Sequence, residues 1–457
     1  MSFLGEIIFL WSMRRKLYFK IALIAIFFCS KKIYSQVFIP SNKEEILKSI
    51  DVAYDTQVSL LDGKYKSKIK KEYKKRKAFI KSTLLDSTFI FDDTYKTFVS
   101  NIVEEIRKKN PSIKKYKETI FINRHLEPNA ACFGNHSFMF NLGLFQLLEN
   151  EDEFAFIVCH EMAHQYLDHV NKGIRKRIET VNSKEYKRKI RDTRLTIYGR
   201  GKAARNLLKE LNYGFLKKSR KREYEADSLG LVFFSNTKYN LKSAYDALEK
   251  LKKFDDGVFA SKIKIDSLLN FSEFKFKKYW LEEEETMFDI EERADDYELN
   301  KDSLKTHPDI ENRMKKVLDE IGSKSKTTKQ FSLTEMKTHA MKDQINSLLH
   351  FNQLDLVFYL LMKKLQEGEQ TEFVILKLAE AFQKSYVLKS NHTFGKKIPQ
   401  ASPFSREDNL NSIRTFLHNL EIRDVRRMGY HFCKQYETQN KSKEFAVIKE
   451  FFNNLNK

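Results

Sequence analysis

Apolar positions along the chain recur mostly at three- and four-residue steps, the spacing of helices that bury one stripe and wet the other. Residues 43–83 are lysine-rich with this spacing, interrupted at Asp62-Gly63. Residues 93–109 carry Tyr95, Phe98, Ile102, Val103 and Ile106 on one stripe, and Asn110-Pro111 stops it. Two short runs rich in β-branched and aromatic residues interrupt the helical pattern: Thr119-Ile-Phe-Ile-Asn123 and Ser137-Phe-Met-Phe-Asn141, with a turn-rich Glu127-Pro128-Asn129 between them. They predict a small sheet. Residues 151–170 then read as one helix, with acidic residues in its first turn, where the helix dipole favours them. From about residue 323 the pattern becomes pairs of helices. Residues 354–364 and 373–383 show apolar stripes joined by Glu367-Gly-Glu-Gln, and a looser stretch, 388–407, precedes two closing helices. The spacing resembles tetratricopeptide hairpins, and ordinary helical packing fits the degenerate repeat equally well.

Composition supports the same class. Only 14 Gly and 6 Pro occur in 457 residues, too few for an architecture of strands and turns. Hydrophobic residues at 41% and aromatics at 13% exclude a disordered chain. The expected fold is α+β, mainly α, in two or three units.

The amino terminus predicts export. Met13-Arg14-Arg15-Lys16 is a charged start, residues 21–28 are apolar, and Ser35-Gln36 offers a cleavage point, so residues 1–36 read as a signal peptide that begins either at Met1 or at Met13. The apolar run is far shorter than the ~20 residues that cross a bilayer, which favours cleavage over retention as an anchor. Of four cysteines, Cys29 lies in this segment; Cys132, Cys159 and Cys433 are too scattered for a disulfide framework or a metal knuckle and read as buried thiols.

The formal charge of +21 is not spread evenly. Residues 171–222 hold 19 Lys/Arg against four Asp/Glu, a net +15, whereas residues 282–298 hold ten Asp/Glu and one Arg. Such segregation, together with export, counts against nucleic acid as a partner. It leaves two readings of the basic segment: a solvated helical face, or peripheral contact with an anionic membrane surface.

The chemistry centres on Cys159-His160-Glu161-Met162-Ala163-His164. Histidines at i and i+4 stand one turn apart on one helix face and can reach a single metal ion, with Glu161 beside them as a general base for water. A bare HExxH is a modest signal, and a catalytic site needs a third protein ligand. A later histidine of the metzincin kind would fall at position 170, which is Val170. The segment Arg222-Glu223-Tyr224-Glu225-Ala226-Asp227 supplies a carboxylate instead. Glu223 and Asp227 share a helix face, so Glu223 can ligate while Asp227 takes the far N–H of a ligating histidine. Glu225 would face away, toward solvent or the basic segment.

These residues resemble the HtpX-like zinc metallopeptidases, family forty-eight of the gluzincins, and are most similar to its exported BepA-like branch. Four blocks carry the resemblance, over roughly residues 115–320: Pro128-Asn129-Ala130 with the strand to Phe140; Gly143-Leu144 through His164; Ser219-Arg220 through Asp227 and Gly230; and Thr306-His307-Pro308 with Arg313. One departure is Gly134-Asn135-His136, where the family has a Gly-Gly pair before the strand. The resemblance implies one zinc ion per chain, endopeptidase activity on unfolded or misassembled envelope polypeptides, and a periplasmic or envelope location. With the helical pattern on either side, the chain is expected to divide into a helical segment at 37–85, a zincin-type peptidase domain at 86–322 and a helical C-terminal domain at 323–457. An alternative is a chaperone-like assembly factor whose metal site is repressed.

Several residues keep two readings. His307 is either a gate or oxyanion stabiliser, or a histidine in a helix-entry turn. Arg313 either stabilises developing negative charge or pairs with the acidic run. Ser137–Asn141 is either an edge strand that receives an extended substrate or a structural strand. His169 is expected at the surface or capping a helix.

Overall fold

The computed structural model describes residues 38–114, 118–254, 257–282, 310–322, 331–402 and 407–456. Two helices, α1 (Lys43–Ser59) and α2 (Lys66–Leu85), flank the break at Gly63, which has φ +78°. After a two-residue strand β1 (Phe89–Ile90) comes α3 (Asp93–Lys109), started by Asp92 accepting the Thr94 N–H. Its buried residues are Tyr95, Val99, Ile102, Val103 and Ile106. Strands β2 (Thr119–Asn123), β3 (Ala130–Cys132) and β4 (Ser137–Asn141) complete a four-stranded sheet of order β1-β2-β4-β3. The pair β2/β4 is parallel and the two outer pairs are antiparallel.

That order decides between the two readings of Ser137–Asn141. Ser137–Asn141 is an interior strand, paired on both sides; the edge strands are β1 and β3. With four of its five residues buried, β4 sits where paired neighbours satisfy its backbone on both edges.

A helical layer follows: α4 (Leu142–Leu147), α5 (Glu151–Tyr166), α6 (His169–Asn182), α7 (Lys184–Leu195), the 36-residue α8 (Arg200–Ser235), α9 (Lys242–Lys253) and α10 (Ile310–Ile321). The helix expected over 151–170 is therefore two. It breaks at Asp168, whose φ of 56° is left-handed and whose carboxylate accepts an N–H from Asn171. Aspartate tolerates this region better than bulky residues do, because its short side chain bonds locally. One core joins α3, the inner sheet residues, α4, α5, the C-terminal half of α8, α9 and α10, through side chains such as Phe145, Phe154, Phe156 and Phe234.

The C-terminal helices α11 (Thr334–His350), α12 (Leu354–Gln366), α13 (Glu372–Ser390), α14 (Asp408–Asn419), α15 (Ile422–Tyr436) and α16 (Lys443–Asn456) build a second core. Residues between Ile263 and Trp280 pack into it as well, although they precede α10 in sequence. The two cores meet where Tyr95 Oη donates to Asp343 and His339 lies 2.9 Å from Asp92. Cys159 and Cys433 are buried, Cys132 is partly exposed, and all three are free thiols. Among the described residues no helix is long and apolar enough to cross a membrane.

Candidate metal centre

Helix α5 is anchored before it reaches the chemistry. Asn150 caps it by accepting the Glu153 N–H, and the Glu153 carboxylate accepts from Asn150 Nδ2 and from the Glu149 N–H. This reciprocal cap satisfies backbone donors that the helix leaves orphaned. Lys250 of α9 pairs with the same carboxylate. Every residue from Asp152 to Ala163 is buried, so the helix runs through the core with its register fixed by packing. His160 and His164 then stand one turn apart, with their Nε2 atoms 3.0 Å from each other.

Helix α8 completes the set. Glu223, Ala226, Asp227 and Gly230 fall at helical spacing on one face, which meets α5. A Cβ on Gly230 would lie only 3.1 Å from the Cα of His160, and Ala226 is fully buried. Small residues at the crossing let α8 press against the ligand-bearing turn. Glu223 consequently places Oε2 3.5 Å from His160 Nε2 and Oε1 3.5 Å from His164 Nε2.

These three donors fit zinc. A tetrahedral ion with ligands at about 2.0–2.1 Å separates neighbouring donors by about 3.3 Å; here the two Nε2 atoms are 3.0 Å apart and each lies 3.5 Å from one oxygen of the Glu223 carboxylate. Two imidazoles and a carboxylate are also the donor chemistry that a catalytic zinc site uses.

The far nitrogen of each histidine is engaged. His160 Nδ1 lies 2.8 Å from Asp227 Oδ1. His164 Nδ1 lies 3.0 Å from His169 Nδ1, and His169 Nε2 lies 3.1 Å from Glu225 Oε2. One proton assignment serves all three contacts: His160 Nδ1–H donates to Asp227, His164 Nδ1–H donates to His169 Nδ1, and His169 Nε2–H donates to Glu225. It leaves both ligand Nε2 lone pairs facing Glu223. Behind Asp227 stands Arg313 of α10, with Nε 2.6 Å from Oδ2, Nη2 2.8 Å from Oδ1, and Nη1 3.4 Å from Glu223 Oε2.

Charge follows this geometry. Burial alone would raise the Asp227 carboxyl, but Arg313 and His160 hold it well below the usual carboxylate range. Burial pulls the His160 imidazole down, yet Asp227 and Glu223 outweigh it and hold its pKa at about 9. The carboxylates around this ring thus call for a positive charge, which a metal cation supplies as well as a proton does.

Two expectations change here. His169 is neither at the surface nor a simple cap; it is 5% exposed, because the left-handed turn at Asp168 folds the start of α6 back onto His164. Glu225 is partly exposed and 3.7 Å from Lys221, as expected for a residue facing the basic segment, but its other oxygen reaches His169. His169→Ala should therefore weaken metal affinity by about 10- to 100-fold, with a smaller loss for Glu225→Ala. Chelator competition measures both, and affinities equal to wild type would show that the relay does not orient His164. Arg313 is found clamped to Asp227 and Glu223, while His307 lies outside the described residues.

Glu161 lines a small recess together with Asn129, Ala130, Ile157, Leu251 and Arg313. Ala130 opens β3, so the edge of the sheet and the carboxylate border one space. The profile of peptidase family M48 matches residues 96–321. The chain carries an M48 peptidase domain. It is a zinc metallopeptidase, a hydrolase acting on peptide bonds, and His160, His164 and Glu223 are the cluster suited to its metal. Among curated proteins none matches the chain. The small mixed sheet, the M48 domain and the helical C-terminal region together make a mainly helical α+β protein.

Proposed function

We propose that the protein is an exported endopeptidase of the BepA-like branch, acting on unfolded or misassembled polypeptides of the cell envelope. The observation that carries this reading is the convergence of His160, His164 and Glu223 on one point, with Glu161 in a recess beside the edge strand β3. Zinc held by those three residues, one ion per chain, supplies Lewis acidity that makes water a stronger acid and a peptide carbonyl a better electrophile. The chain does the rest. Strand β3 pairs with β4 on one side and with no strand on the other among the described residues, and an extended substrate adds along that edge as a further strand. Glu161 takes a proton from the attacking water and delivers it to the departing amide nitrogen, which regenerates the carboxylate. Asp227 and His169 keep the two imidazoles oriented throughout. The helical C-terminal region would gather unfolded clients.

The burial of Glu161, 2% exposed, favours a second reading in which the site is held shut and the helical region works as a chaperone. One experiment separates the two. The purified chain should contain one zinc and cut casein at internal bonds; a chelator should stop cleavage and added zinc restore it. A zinc-loaded protein that leaves casein intact while suppressing aggregation of an unfolded client overturns the active reading.

A further inference from the structure

The net +15 of residues 171–222 is carried largely by an arm. Helix α7 packs against α8, and no described side chain from residue 179 to 222 is buried. Arg200, at the start of α8, is 23 residues before Glu223, so the tip of this hairpin stands roughly 35 Å along the helix from the metal ligands.

The composition of the tip is unusual for a solvated surface. Leu195 is 70% exposed, Ile197 81% and Tyr198 91%, three large apolar side chains within four residues of the turn. Gly199, at φ +70°, turns the chain into α8. On both sides stand cations: Arg188, Arg191 and Arg194 before the turn, Arg200, Lys202 and Arg205 after it. Solvation explains exposed arginines but gives no reason to present isoleucine and tyrosine at the outermost point of a projecting element.

We infer that the α7–α8 hairpin is a membrane-docking arm, whose basic flanks meet anionic lipid headgroups while Leu195, Ile197 and Tyr198 enter the interfacial layer. Charge complementarity selects the surface, and the apolar tip selects a bilayer over other polyanions. Nucleic acid or an acidic polypeptide would answer the arginines and leave Ile197 without a partner. Tyrosine suits the headgroup level, where its ring is apolar and its hydroxyl wet. A chain with no spanning helix among its described residues would thereby be held at the membrane by one turn, with the peptidase domain standing off from it.

The test uses the full chain and vesicles of phosphatidylglycerol mixed with phosphatidylcholine, against pure phosphatidylcholine. Co-sedimentation should be at least about tenfold stronger with the anionic vesicles at low salt, and should weaken as salt rises. Leu195→Ser with Ile197→Ser and Tyr198→Ser should lower anionic-vesicle binding by about tenfold or more, while casein cleavage is retained. An environment-sensitive fluorophore on Ile197→Cys should shift to the blue with anionic vesicles. The proposal is overturned by a triple-serine variant that binds like wild type, by equal binding to neutral vesicles, or by a label that stays in water. Displacement of bound protein by polynucleotide with the serine variant unaffected would assign the arm to nucleic acid instead.

Discussion

Glu161→Gln should lower the turnover of casein by about 100- to 10,000-fold and leave zinc content and melting temperature at wild-type values. The amide has the shape of the carboxylate and fits the same buried position between the two histidine ligands, so α5 has no reason to repack. What it lacks is basicity. The carboxylate is the group in the recess that can take a proton from water and give it back to a leaving nitrogen, whereas Arg313 in the same space is a cation. Substrate binding along β3 does not use Glu161, so the loss should fall on kcat and not on KM. Parallel zinc analysis and casein assays decide the matter. Undiminished cleavage by the variant would show that another group handles the proton.

Much of this site was legible because its residues are close in sequence or share a helix. His160 and His164 are neighbours by helical geometry alone, and Glu223 with Asp227 follow the same rule on α8. The C-terminal limit of α3 was visible for a local reason too, since Asn110-Pro111 closes it. The missed features lack such local marks. Strand β1 has two residues and β3 three, too few to show a period, so the sheet order and its edge strands could not be read. The break at Asp168 hides for another reason. The residues around it continue a helical pattern, and a single left-handed residue costs an aspartate little. Missing that turn meant placing His169 at the surface or in a cap, since only the reversal carries its ring to His164. Arg313 was singled out in the sequence but its partner was not, as Asp227 is 86 residues away and only the packed fold brings the two together.

That separation gives Arg313→Ala a large expected effect. The guanidinium makes two parallel bonds to Asp227 and lies against Glu223, and all three side chains are buried. Removing it leaves two carboxylates facing each other in a dry interior with one cation fewer. Breaking such a buried network typically costs about 3–5 kcal/mol, because the remaining charges stay desolvated without compensation. A drop of that size should appear in chemical denaturation, with zinc affinity falling as well, since Asp227 and Glu223 lose the group that orients them. Arg313→Lys should recover part of the stability through its charge, though a single ammonium cannot reproduce the two-pronged contact. The same pair of variants separates a clamp from an oxyanion stabiliser. A clamp predicts that stability and metal affinity fall together, with kcat following the zinc content. A donor to developing negative charge predicts stable, fully loaded variants whose kcat alone collapses. Arg313→Ala protein that melts and binds zinc like wild type would therefore remove the clamp, whatever its activity.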